Sequence, residues 1–324
     1  MRLLVTGGAG FIGSNFVREW LKNHPEDHVT VLDALTYAGN KKNLRGLDYD
    51  RLSFIRGSVT NPAAVAFAMK DADAVVHFAA ESHVDRSIIT PDAFLKTNVV
   101  GTYVLLEEAR RREGQLVRFH HVSTDEVFGA LEITEGRRFH EQAPYAPGSP
   151  YAASKAAADH LCRAYFNTYG VPVTITNSSN NYGPYQHPEK LIPTAIMAAI
   201  ESRQIPVYGD GLYVRDWVHV IDHCRAIEAV MMNGKVGESY CVGGRTEKSN
   251  LEIVRLILQI LDRPHSLISY VKDRPGHDRR YAVDPTKLER ELGWRPRWSF
   301  TDGLRETVNW YKLNSRDWAA LDKQ

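Results

Sequence analysis

A glycine-rich segment near the start of the chain constrains its fold more than any other feature. Residues 6–13 read Thr-Gly-Gly-Ala-Gly-Phe-Ile-Gly and lie between a short apolar run and a helical pattern. In a strand–turn–helix unit, Gly7 would permit the tight turn, Gly10 would let the backbone approach a pyrophosphate, and Gly13 would let the helix pack closely on the strand. A plain strand-to-helix turn can carry the same glycines, so a second signal is needed to separate the two interpretations.

Asp33 supplies that second signal. It follows Gly13 by twenty residues and ends the second apolar run of the chain. A carboxylate at this position accepts hydrogen bonds from the adenosine ribose hydroxyls and repels a 2′-phosphate. A helix cap is the simpler alternative for Asp33, but it leaves the glycine loop unexplained. The sequence therefore predicts NAD, rather than NADP, as the cofactor.

The first half of the chain alternates apolar runs with helical patterns. The predicted strands are 2–6, 29–33, 52–56, 74–79, 117–123 and 173–177, and the predicted helices are 12–23, 62–69, 95–112 and 150–169. The early strands are apolar on both faces, which is typical of a parallel sheet covered by helices on both sides. This pattern predicts an α/β fold with a doubly wound parallel sheet, the Rossmann arrangement.

Beyond about residue 182, proline and glycine become denser. We expect the chain to leave the sheet here and build a smaller α/β substrate-binding lobe, while 216–220 and 238–242 return to the sheet as strands. The predicted NAD-binding domain covers 1–177 plus about 214–243, and the smaller lobe covers about 178–213 plus 244–324. A ligand would lie in the cleft between the two lobes.

Charge and cysteine content exclude several classes of protein. Forty Lys and Arg residues against 39 Asp and Glu give a net charge of +1, whereas a nucleic-acid binder is usually more basic. Cys162, Cys224 and Cys241 are far apart and odd in number, which indicates a reducing compartment. No apolar stretch is long enough for a membrane span, and the first one is too short for a signal peptide. We expect a cytoplasmic protein with no nucleic-acid or membrane partner.

The histidines and Ser123 carry weaker signals. Close pairs such as His120 and His121 lack the ligand spacing that is typical of zinc sites, so we expect no metal. Ser123 lacks the Gly-x-Ser-x-Gly surroundings of a hydrolase nucleophile. Structural roles are therefore expected for these residues.

Tyr151 and Lys155 form a Tyr-x-x-x-Lys pair near the start of the predicted helix 150–169. A spacing of four puts both side chains on one helix face, where a lysine ammonium would lower the pKa of the tyrosine. Tyr151 would then be a general base near neutral pH. Taken alone, the pair is better explained by a surface helix, and it gains weight from the predicted NAD site and from the strand that ends at residues 122–126.

Thr124, Asp125 and Glu126 follow the predicted strand 117–123, at the carboxyl end where active sites of open α/β sheets lie. Two adjacent carboxyl groups in a closed pocket raise each other's pKa, so one can donate a proton while the other accepts one. A polar loop with a capping Asp is the alternative. Because Tyr151 and Lys155 are also present, we predict that all five residues are catalytic.

Several segments resemble the dTDP-glucose 4,6-dehydratases, a family of extended short-chain dehydrogenases. They are 6–13, 33–40, 77–87, 123–129, 149–155 and 274–278, and the resemblance covers nearly the whole chain. The adjacent acids at 125–126 are its most specific part, because related nucleotide-sugar epimerases and decarboxylases do not usually carry them. Two residues depart from the family: Ser58 stands where an Asp usually contacts the adenine, and Phe128 replaces a usual Tyr.

The resemblance implies a reaction in which NAD is reduced and regenerated. Thr124 and Tyr151 would hold the 4-hydroxyl of dTDP-glucose, and Tyr151 with Lys155 would take its proton during oxidation at C4. Glu126 would then remove the C5 proton while Asp125 protonates the departing C6 hydroxyl. Return of hydride to C6 would give dTDP-4-keto-6-deoxyglucose.

The resemblance also implies two sets of binding residues. The cofactor contacts would be Gly7, Gly10, Phe11, Ile12, Gly13, Asp33, Leu35, Thr36, Ser58, Val59, Ala79, Ala80, Ser82, Asn98, Tyr151 and Lys155. The substrate contacts would be Ser82, His83, Thr124, Asn180, Glu189, Lys190, Leu191, Pro206, Tyr208, Arg215, Asn250, Arg274 and His277. Arginine suits a diphosphate because its planar fork forms two parallel hydrogen bonds, although a surface ion pair is the alternative for each arginine alone.

The predicted helices 95–112 and 150–169 resemble the family's dimer interface. Their apolar residues are Val99, Val104, Leu105, Ala157, Leu161 and Ala164. A homodimer built through a four-helix bundle is expected, and the alternative is that these faces only cover the sheet. Two other functions remain open: a nucleotide-sugar 4-epimerase or decarboxylase on the same scaffold, and a non-catalytic NAD-binding protein.

Overall fold

A seven-stranded parallel sheet forms the centre of the larger lobe. The computed structural model describes residues 1–273 and 275–319. In chain order, the strands of this part are β1 (Arg2–Thr6), β2 (His28–Asp33), β3 (Leu52–Arg56), β4 (Ala74–His77), β5 (Arg118–Thr124), β6 (Val173–Ser178), β7 (Asn180–Tyr182), β8 (Ile205–Tyr208), β9 (Val214–His219), β10 (Ser239–Val242), β11 (Glu247–Ser249), β12 (Ile268–Val271) and β13 (Arg280–Tyr281). The central sheet has the order β10-β6-β5-β4-β1-β2-β3, which confirms the predicted doubly wound fold.

Helices cover both faces of this sheet. In chain order, the helices of the described part are α1 (Phe11–Asn23), α2 (Pro62–Met69), α3 (Val84–Ile89), α4 (Pro91–Phe94), α5 (Gly101–Arg111), α6 (Pro150–Tyr169), α7 (Leu191–Ile200), α8 (Val220–Asn233), α9 (Asn250–Ile260), α10 (Thr286–Leu292) and α11 (Phe300–Ala319). Successive strand residues point to opposite faces. Leu3 and Val5 therefore pack with Phe16 of α1, whereas Leu4 packs in the other core layer with Leu105 of α5.

Helix α6 has the predicted bounds because strong signals lie at both of its ends. The Ser149 hydroxyl accepts a hydrogen bond from the Ala152 N–H at 3.1 Å, and Pro150 occupies a first-turn position where its missing N–H costs nothing. Gly170 ends the helix with a φ of 70°, the left-handed conformation that favours glycine. These signals fix Tyr151 on the first turn.

The predicted helix 95–112 is wrong in its start and its geometry. The helical stretch begins earlier, as α4, continues as a π-helix at Leu95–Val100 and ends as α5. The π turn contains Asn98, whose side-chain amide bonds both the N–H of Glu81, at 2.8 Å, and its C=O, at 3.0 Å. Such turns are frequent at functional sites. The spacing of hydrophobic residues does not reveal a change from α to π hydrogen bonding.

The prediction that 216–220 returns to the central sheet is also wrong. Strand β9 lies instead in a separate four-stranded sheet with β7, β11 and β13. The buried Asp216 carboxylate fixes it there by accepting the backbone N–H groups of Gly244, at 2.9 Å, and Thr246, at 2.7 Å. The other predicted returning strand is confirmed as β10, which pairs with β6.

A second hydrophobic core lies in the smaller lobe, between α7, α9 and α11. Its fully buried side chains include Ile196, Ile257, Leu304 and Tyr311. Strands β8 and β12 form a two-stranded parallel sheet in the same lobe. Within residues 1–273 and 275–319, no helix is both long and apolar enough to cross a lipid bilayer. The domain boundaries given above stay a prediction.

Candidate active site

A cleft runs along the carboxyl ends of the central strands. In an open parallel sheet, ligands bind at this edge where the strand order reverses, and here the reversal lies between β1 and β4. The predicted cofactor and catalytic residues that line the cleft are Gly7, Gly10, Phe11, Ile12, Gly13, Asp33, Thr36, Ser58, Val59, Ala79, Ala80, Ser82, Thr124, Asp125, Glu126, Tyr151 and Lys155. The structure thus brings two separate sequence signals into one site.

The glycine loop has no room for side chains. Gly7 has a φ of 71°, and a Cβ atom on it would lie 2.6 Å from the backbone N of Ala79. A Cβ atom on Gly13 would lie 2.3 Å from the carbonyl oxygen of Gly7. Gly10 is the N-cap of α1 and provides no side-chain cap. The first N–H groups of the helix therefore face the cleft as a cradle for an anionic group.

Asp33 is held at the end of β2 by two backbone groups. Its Oδ2 accepts the N–H of Ala9 at 2.9 Å, and its Oδ1 accepts the N–H of Leu35 at 2.8 Å. Burial raises the pKa of Asp33, and these two hydrogen bonds oppose that rise. The carboxylate is therefore fixed in orientation, as a group that must select between ribose hydroxyls and a phosphate should be.

Two predicted cofactor residues support the cleft without lining it. Leu35 reaches the site through its backbone N–H, and it adopts a left-handed φ of 52° to do so. Asn98 lies behind the cleft, where it holds the backbone of Glu81 and bonds the Ser154 hydroxyl at 2.9 Å. Ser58 does line the cleft, and its hydroxyl bonds that of Thr60 at 2.8 Å.

The surroundings of Asp125 favour its protonated form. Its side chain is buried at the end of β5, and its Oδ2 has no hydrogen-bond partner within the described residues. Burial and the neighbouring Glu126 charge raise the pKa of Asp125 well above its ordinary value, while the Arg215 guanidinium opposes the rise. Glu126 is half-buried and lines the cleft. The two acids therefore differ in environment, as an acid and a base must.

The expected effect of Lys155 on Tyr151 is not found in the structure. Burial and the Glu126 charge raise the pKa of Tyr151 well above its ordinary range, and the hydrogen bond with Thr124 opposes the rise. The Lys155 ammonium is directed away, because its Nζ donates to the carbonyl oxygen of Val122 at 2.8 Å. Helical spacing placed the two residues on one face, but it could not give the direction of a long side chain.

Part of the predicted substrate set lies along the same cleft. Asn180, Glu189 and Lys190 line it, as does Ser82. Lys190 Nζ donates to the carbonyl oxygen of Ser82 at 3.0 Å, so the smaller lobe is tied to the loop after β4. Glu189 Oε2 lies 3.7 Å from Nε2 of His83, which places His83 next to the cleft although it does not line it.

The remaining predicted substrate residues lie farther out. They do not line the cleft and are Leu191, Pro206, Tyr208, Arg215, Asn250 and His277, while Arg274 lies outside the described residues. The Arg215 guanidinium lies 4.3 Å from the ring centroid of Tyr281 and donates to the carbonyl oxygen of Asp278 at 2.9 Å. The His277 ring stacks on Tyr213 with centroids 3.6 Å apart. Their role in binding therefore stays a prediction.

Several polar residues of the site were not predicted from the sequence. Glu81, Gln186 and His187 line the cleft. Behind it, the fully buried Asp159 lies two helical turns after Tyr151. The repeated spacing of four from Tyr151 through Lys155 to Asp159 was the available signal for this carboxylate.

Phe128 and His120 have structural explanations. The Phe128 ring is buried against those of Phe139 and Tyr145, with centroids 5.3 and 5.2 Å apart, so an apolar ring suits this position. His120 is buried between the hydroxyls of Thr174, at 2.9 Å, and Thr176, at 3.1 Å.

Comparison with known proteins agrees with this geometry. A family model described as GDP-mannose 4,6 dehydratase matches residues 4–307. The dTDP-glucose 4,6-dehydratase of Mycobacterium tuberculosis (strain CDC 1551 / Oshkosh) is 49% identical over 322 residues, covering 99% of this chain and 96% of that protein. The dTDP-glucose 4,6-dehydratase of Xanthomonas campestris pv. campestris (strain B100) is 53% identical over 333 residues, covering 96% of this chain and 93% of that protein.

The solved structures give the same result. The crystal structure of a dTDP-glucose 4,6-dehydratase from Streptomyces venezuelae, with NAD and TYD bound, has a TM-score of 0.95 to this chain. The two are 50% identical, and the match covers 99% of this chain and 100% of that one. Because similarity in sequence and in structure extends over nearly the whole chain, the protein belongs to the dTDP-glucose 4,6-dehydratase family.

Proposed function

We propose that this protein converts dTDP-glucose to dTDP-4-keto-6-deoxyglucose and water with NAD as cofactor. The pair of acids at the end of β5 carries the proposal. Asp125 is buried with a raised pKa, and Glu126 beside it lines the same cleft as Tyr151. A 4-epimerase needs a base for oxidation at C4 but no separate acid and base for elimination. The pair therefore favours dehydration.

The residues of the cleft fit NAD. The cradle at Gly7 to Gly13 suits the pyrophosphate because Gly7 and Gly13 have no room for a Cβ atom and the N–H groups of the helix face it. Asp33 suits the adenosine ribose because its carboxylate is fixed at the end of β2. When bound, NAD supplies the hydride acceptor for oxidation at C4 and the hydride donor for reduction at C6.

Oxidation at C4 requires removal of the 4-hydroxyl proton. Tyr151 takes this proton as general base, and the Thr124 hydroxyl orients the sugar oxygen beside it. Lys155 lies one helical turn from Tyr151, and its positive charge acts against the rise in the Tyr151 pKa that burial causes. The ketone formed at C4 makes the C5 hydrogen acidic.

Elimination then uses the two acids in opposite senses. Glu126 accepts the C5 proton, and Asp125 donates its proton to the C6 hydroxyl as the C6–O bond breaks. Water leaves and a C5–C6 double bond remains. After reduction at C6, Glu126 returns the proton to C5. Tyr151 then releases the proton taken from the 4-hydroxyl to solvent and Asp125 regains a proton from solvent, so both groups are restored. The raised pKa of Asp125 is what keeps its proton available at neutral pH.

We assign the predicted substrate residues to the nucleotide-sugar in two groups. Ser82, His83, Asn180, Glu189 and Lys190 border the sugar end, because they lie at or beside the cleft. The outer group takes the nucleotide: Leu191, Pro206, Tyr208, Arg215, Asn250 and His277. The cationic and aromatic members of this group suit a diphosphate and a base.

Replacement of Asp33 is expected to relax cofactor choice. Asp33→Ala removes hydrogen bonds to the ribose of about 1.5–3 kcal/mol for a charged acceptor, which corresponds to a loss of NAD affinity of about 10–100-fold. The variant should also bind NADP more tightly than the wild type does. Titration with both dinucleotides checks this, with Asp48→Ala, at an exposed position before β3, as the control. A wild type that binds NADP as tightly as NAD would contradict the placement of Asp33.

We propose a homodimer in which α5 and α6 of both subunits form a four-helix bundle. The sequence-based choice of residues needs correction, because Val104 and Leu105 are buried in the core of the sheet. The outward face carries Leu95, Val100 and Tyr103, whose exposed fractions are 56%, 45% and 46%. This exposed apolar face supports the proposal.

Sedimentation tests the dimer. The wild type should sediment as a dimer at micromolar concentration, and a Leu95→Glu, Tyr103→Glu double variant should sediment as a monomer because it buries charge in the interface. Met232→Glu is the control, since Met232 is exposed on α8, which packs on the opposite face of the central sheet. A monomeric wild type would overturn the dimer.

We place the protein in a reducing compartment, the cytoplasm. Cys162, Cys224 and Cys241 are all buried free thiols, which supports this placement because disulfides are rare under reducing conditions. The near-neutral net charge supports a small-molecule substrate rather than a nucleic-acid partner.

Incubation of the purified protein with NAD and dTDP-glucose tests the proposed function. We expect a product that has lost one water and carries a 4-keto group, detected by mass spectrometry and NMR. Parallel incubation with UDP-glucose measures the preference for the base. Formation of a C4 epimer without loss of water would contradict the dehydratase assignment and favour the epimerase.

A further inference from the structure

A row of buried polar side chains extends from Lys155 away from the cleft. Lys155 Nζ lies 3.4 Å from Nε2 of His121, and the same His121 atom lies 3.3 Å from Oδ1 of Asp159. The other oxygen of Asp159 accepts hydrogen bonds from the Tyr145 hydroxyl at 2.7 Å and from the Asn177 side-chain amide at 3.1 Å. Lys155, His121 and Asp159 have exposed fractions of 4%, 0% and 0%. None of the steps proposed above uses His121 or Asp159.

The three buried side chains Lys155, His121 and Asp159 carry different charges. Burial and the Lys155 charge lower the pKa of His121 to about 4, so the imidazole is neutral at neutral pH. Burial acts to raise the pKa of Asp159, but the contact with His121, the Lys155 charge and the Tyr145 hydrogen bond bring it below its ordinary value. A buried ammonium and a buried carboxylate therefore flank a neutral imidazole.

Among the described residues, the other titratable groups around Lys155 do not supply a counter-charge. Burial lowers the pKa of His77 and raises that of Cys162 to a degree that leaves both neutral. Burial raises the pKa of Tyr151 and of Tyr145, so neither is a standing negative charge that could balance Lys155. Arg163 is positive, and it bonds the Tyr145 hydroxyl at 2.7 Å and the Ser239 hydroxyl at 3.2 Å.

Burial disfavours the charged form of Lys155 and lowers its pKa, whereas the Asp159 charge acts to raise it. An isolated charge in a protein interior is strongly unfavourable, so a partner of opposite sign decides whether the lysine stays protonated. Asp159 is placed for that purpose on the same helix face, one turn beyond Lys155.

We propose that Asp159 is a positioning residue that, through His121, keeps the Lys155 ammonium protonated and directed at the Val122 carbonyl. This inference rests on the proposed function, because the charge of Lys155 matters to catalysis only if Tyr151 is the base for oxidation. The simpler alternative is that Asp159 and His121 only join α6 to β5. An Asn at position 159 would preserve that structural link while removing the charge.

The pH profile of kcat for Asp159→Asn separates these two roles. Loss of the counter-charge lowers the pKa of Lys155 further, so the ammonium is lost at a lower pH. The alkaline limb of the kcat profile should therefore move to lower pH by about one unit or more, which is the usual effect of losing a nearby opposite charge. KM for dTDP-glucose should change little, because Asp159 does not border the cleft.

Asp222→Asn is the matched control. Asp222 is also buried, with an exposed fraction of 1%, and its Oδ2 accepts the backbone N–H groups of Arg297 and Trp298 at 2.9 Å each. Its replacement should lower stability without moving the alkaline limb. An alkaline limb that stays in place in Asp159→Asn, or moves equally in Asp222→Asn, would overturn the proposal.

A stability cycle provides a readout that does not depend on activity. The urea midpoints of Asp159→Asn, Lys155→Met and the double variant are compared with that of the wild type. If the two charges compensate each other, the double variant should lose less stability than the sum of the single losses. Additive losses would overturn the proposal. If Asp159→Asn alone does not fold, recovery of folding in the double variant supports the proposal and a double variant that also fails to fold overturns it.

The two readouts also separate this inference from the proposed function. If the wild type does not act on dTDP-glucose but the variants show coupling in the stability cycle, the proposed function is refuted and the charge pair is supported. If the wild type dehydrates dTDP-glucose but the stability losses of the variants are additive, the proposed function is supported and the charge pair is refuted.

Discussion

The Asp125→Asn, Glu126→Gln double variant is expected to oxidise dTDP-glucose without dehydrating it. Both substitutions preserve shape but remove the donor for the C6 hydroxyl and the acceptor for the C5 proton. Tyr151 and Lys155 remain, so oxidation at C4 can proceed. Absorbance of the reduced cofactor should therefore appear on mixing with dTDP-glucose and persist, because C6 never becomes an acceptor.

Formation of the 6-deoxy product by this variant should fall steeply. General acid–base groups contribute about 10²–10⁴-fold each. The combined loss need not equal the sum of the single losses in free energy, because Asp125 and Glu126 share one pocket. Stopped-flow absorbance and product analysis measure the two steps separately. The control replaces Glu132 and Glu135 with Gln, since these acids lie in the loop that follows and do not line the cleft. Near wild-type turnover in the double variant would show that the acids are structural.

Tyr151→Phe is expected to block the reaction at its first step. The substitution keeps the buried ring but removes the only proposed acceptor for the 4-hydroxyl proton. Neither the reduced cofactor nor the ketone should then form, and the rate of oxidation should fall by about 10²–10⁴-fold. Transient absorbance on mixing with dTDP-glucose measures this directly.

Tyr165→Phe is the control for Tyr151→Phe. Tyr165 lies on the same helix, and its hydroxyl donates to Glu107 at 2.7 Å, outside the cleft. It should retain activity. The two active-site variants should also differ from each other, because one accumulates the oxidised sugar and the other does not. If Tyr151→Phe accumulates reduced cofactor at the wild-type rate, another group is the base.

Local signals explain why much of the site was predictable from the sequence. The glycines at 7, 10 and 13 are needed wherever backbone approaches backbone, and at Gly13 a Cβ atom would lie only 2.3 Å from the Gly7 carbonyl oxygen. The ends of α6 are fixed by Ser149 and Gly170, both adjacent to the helix they bound. The contact at Gly13 and the signals at the ends of α6 act within a few residues, so they can be read without knowing the tertiary structure.

Features that depend on distant partners were not predictable in the same way. Strand β9 has the pattern of a buried strand, but its sheet is chosen by Gly244 and Thr246, about 30 residues later, which bond Asp216. The apolar pattern of α5 did not show that Val104 and Leu105 face the core while Tyr103 faces outward. The direction of Lys155 depends on β5, which provides the Val122 carbonyl and His121.

Electrostatic differences between neighbouring groups also require the folded structure. Asp125 and Glu126 are adjacent in the sequence, yet only the fold shows that Asp125 is buried while Glu126 borders the cleft. The sequence could therefore predict that one acid donates and the other accepts, and burial supports Asp125 as the donor.

Transfer of a deuterium label tests the central claim most directly. The wild type is incubated with NAD and dTDP-glucose that carries deuterium at C4, and the position of the label in the product is read by NMR. A dehydratase that oxidises C4, eliminates water and reduces C6 in one cleft should deliver the deuterium to C6 of a 4-keto product. Deuterium that remains at C4 of a sugar that has lost no water would contradict the account.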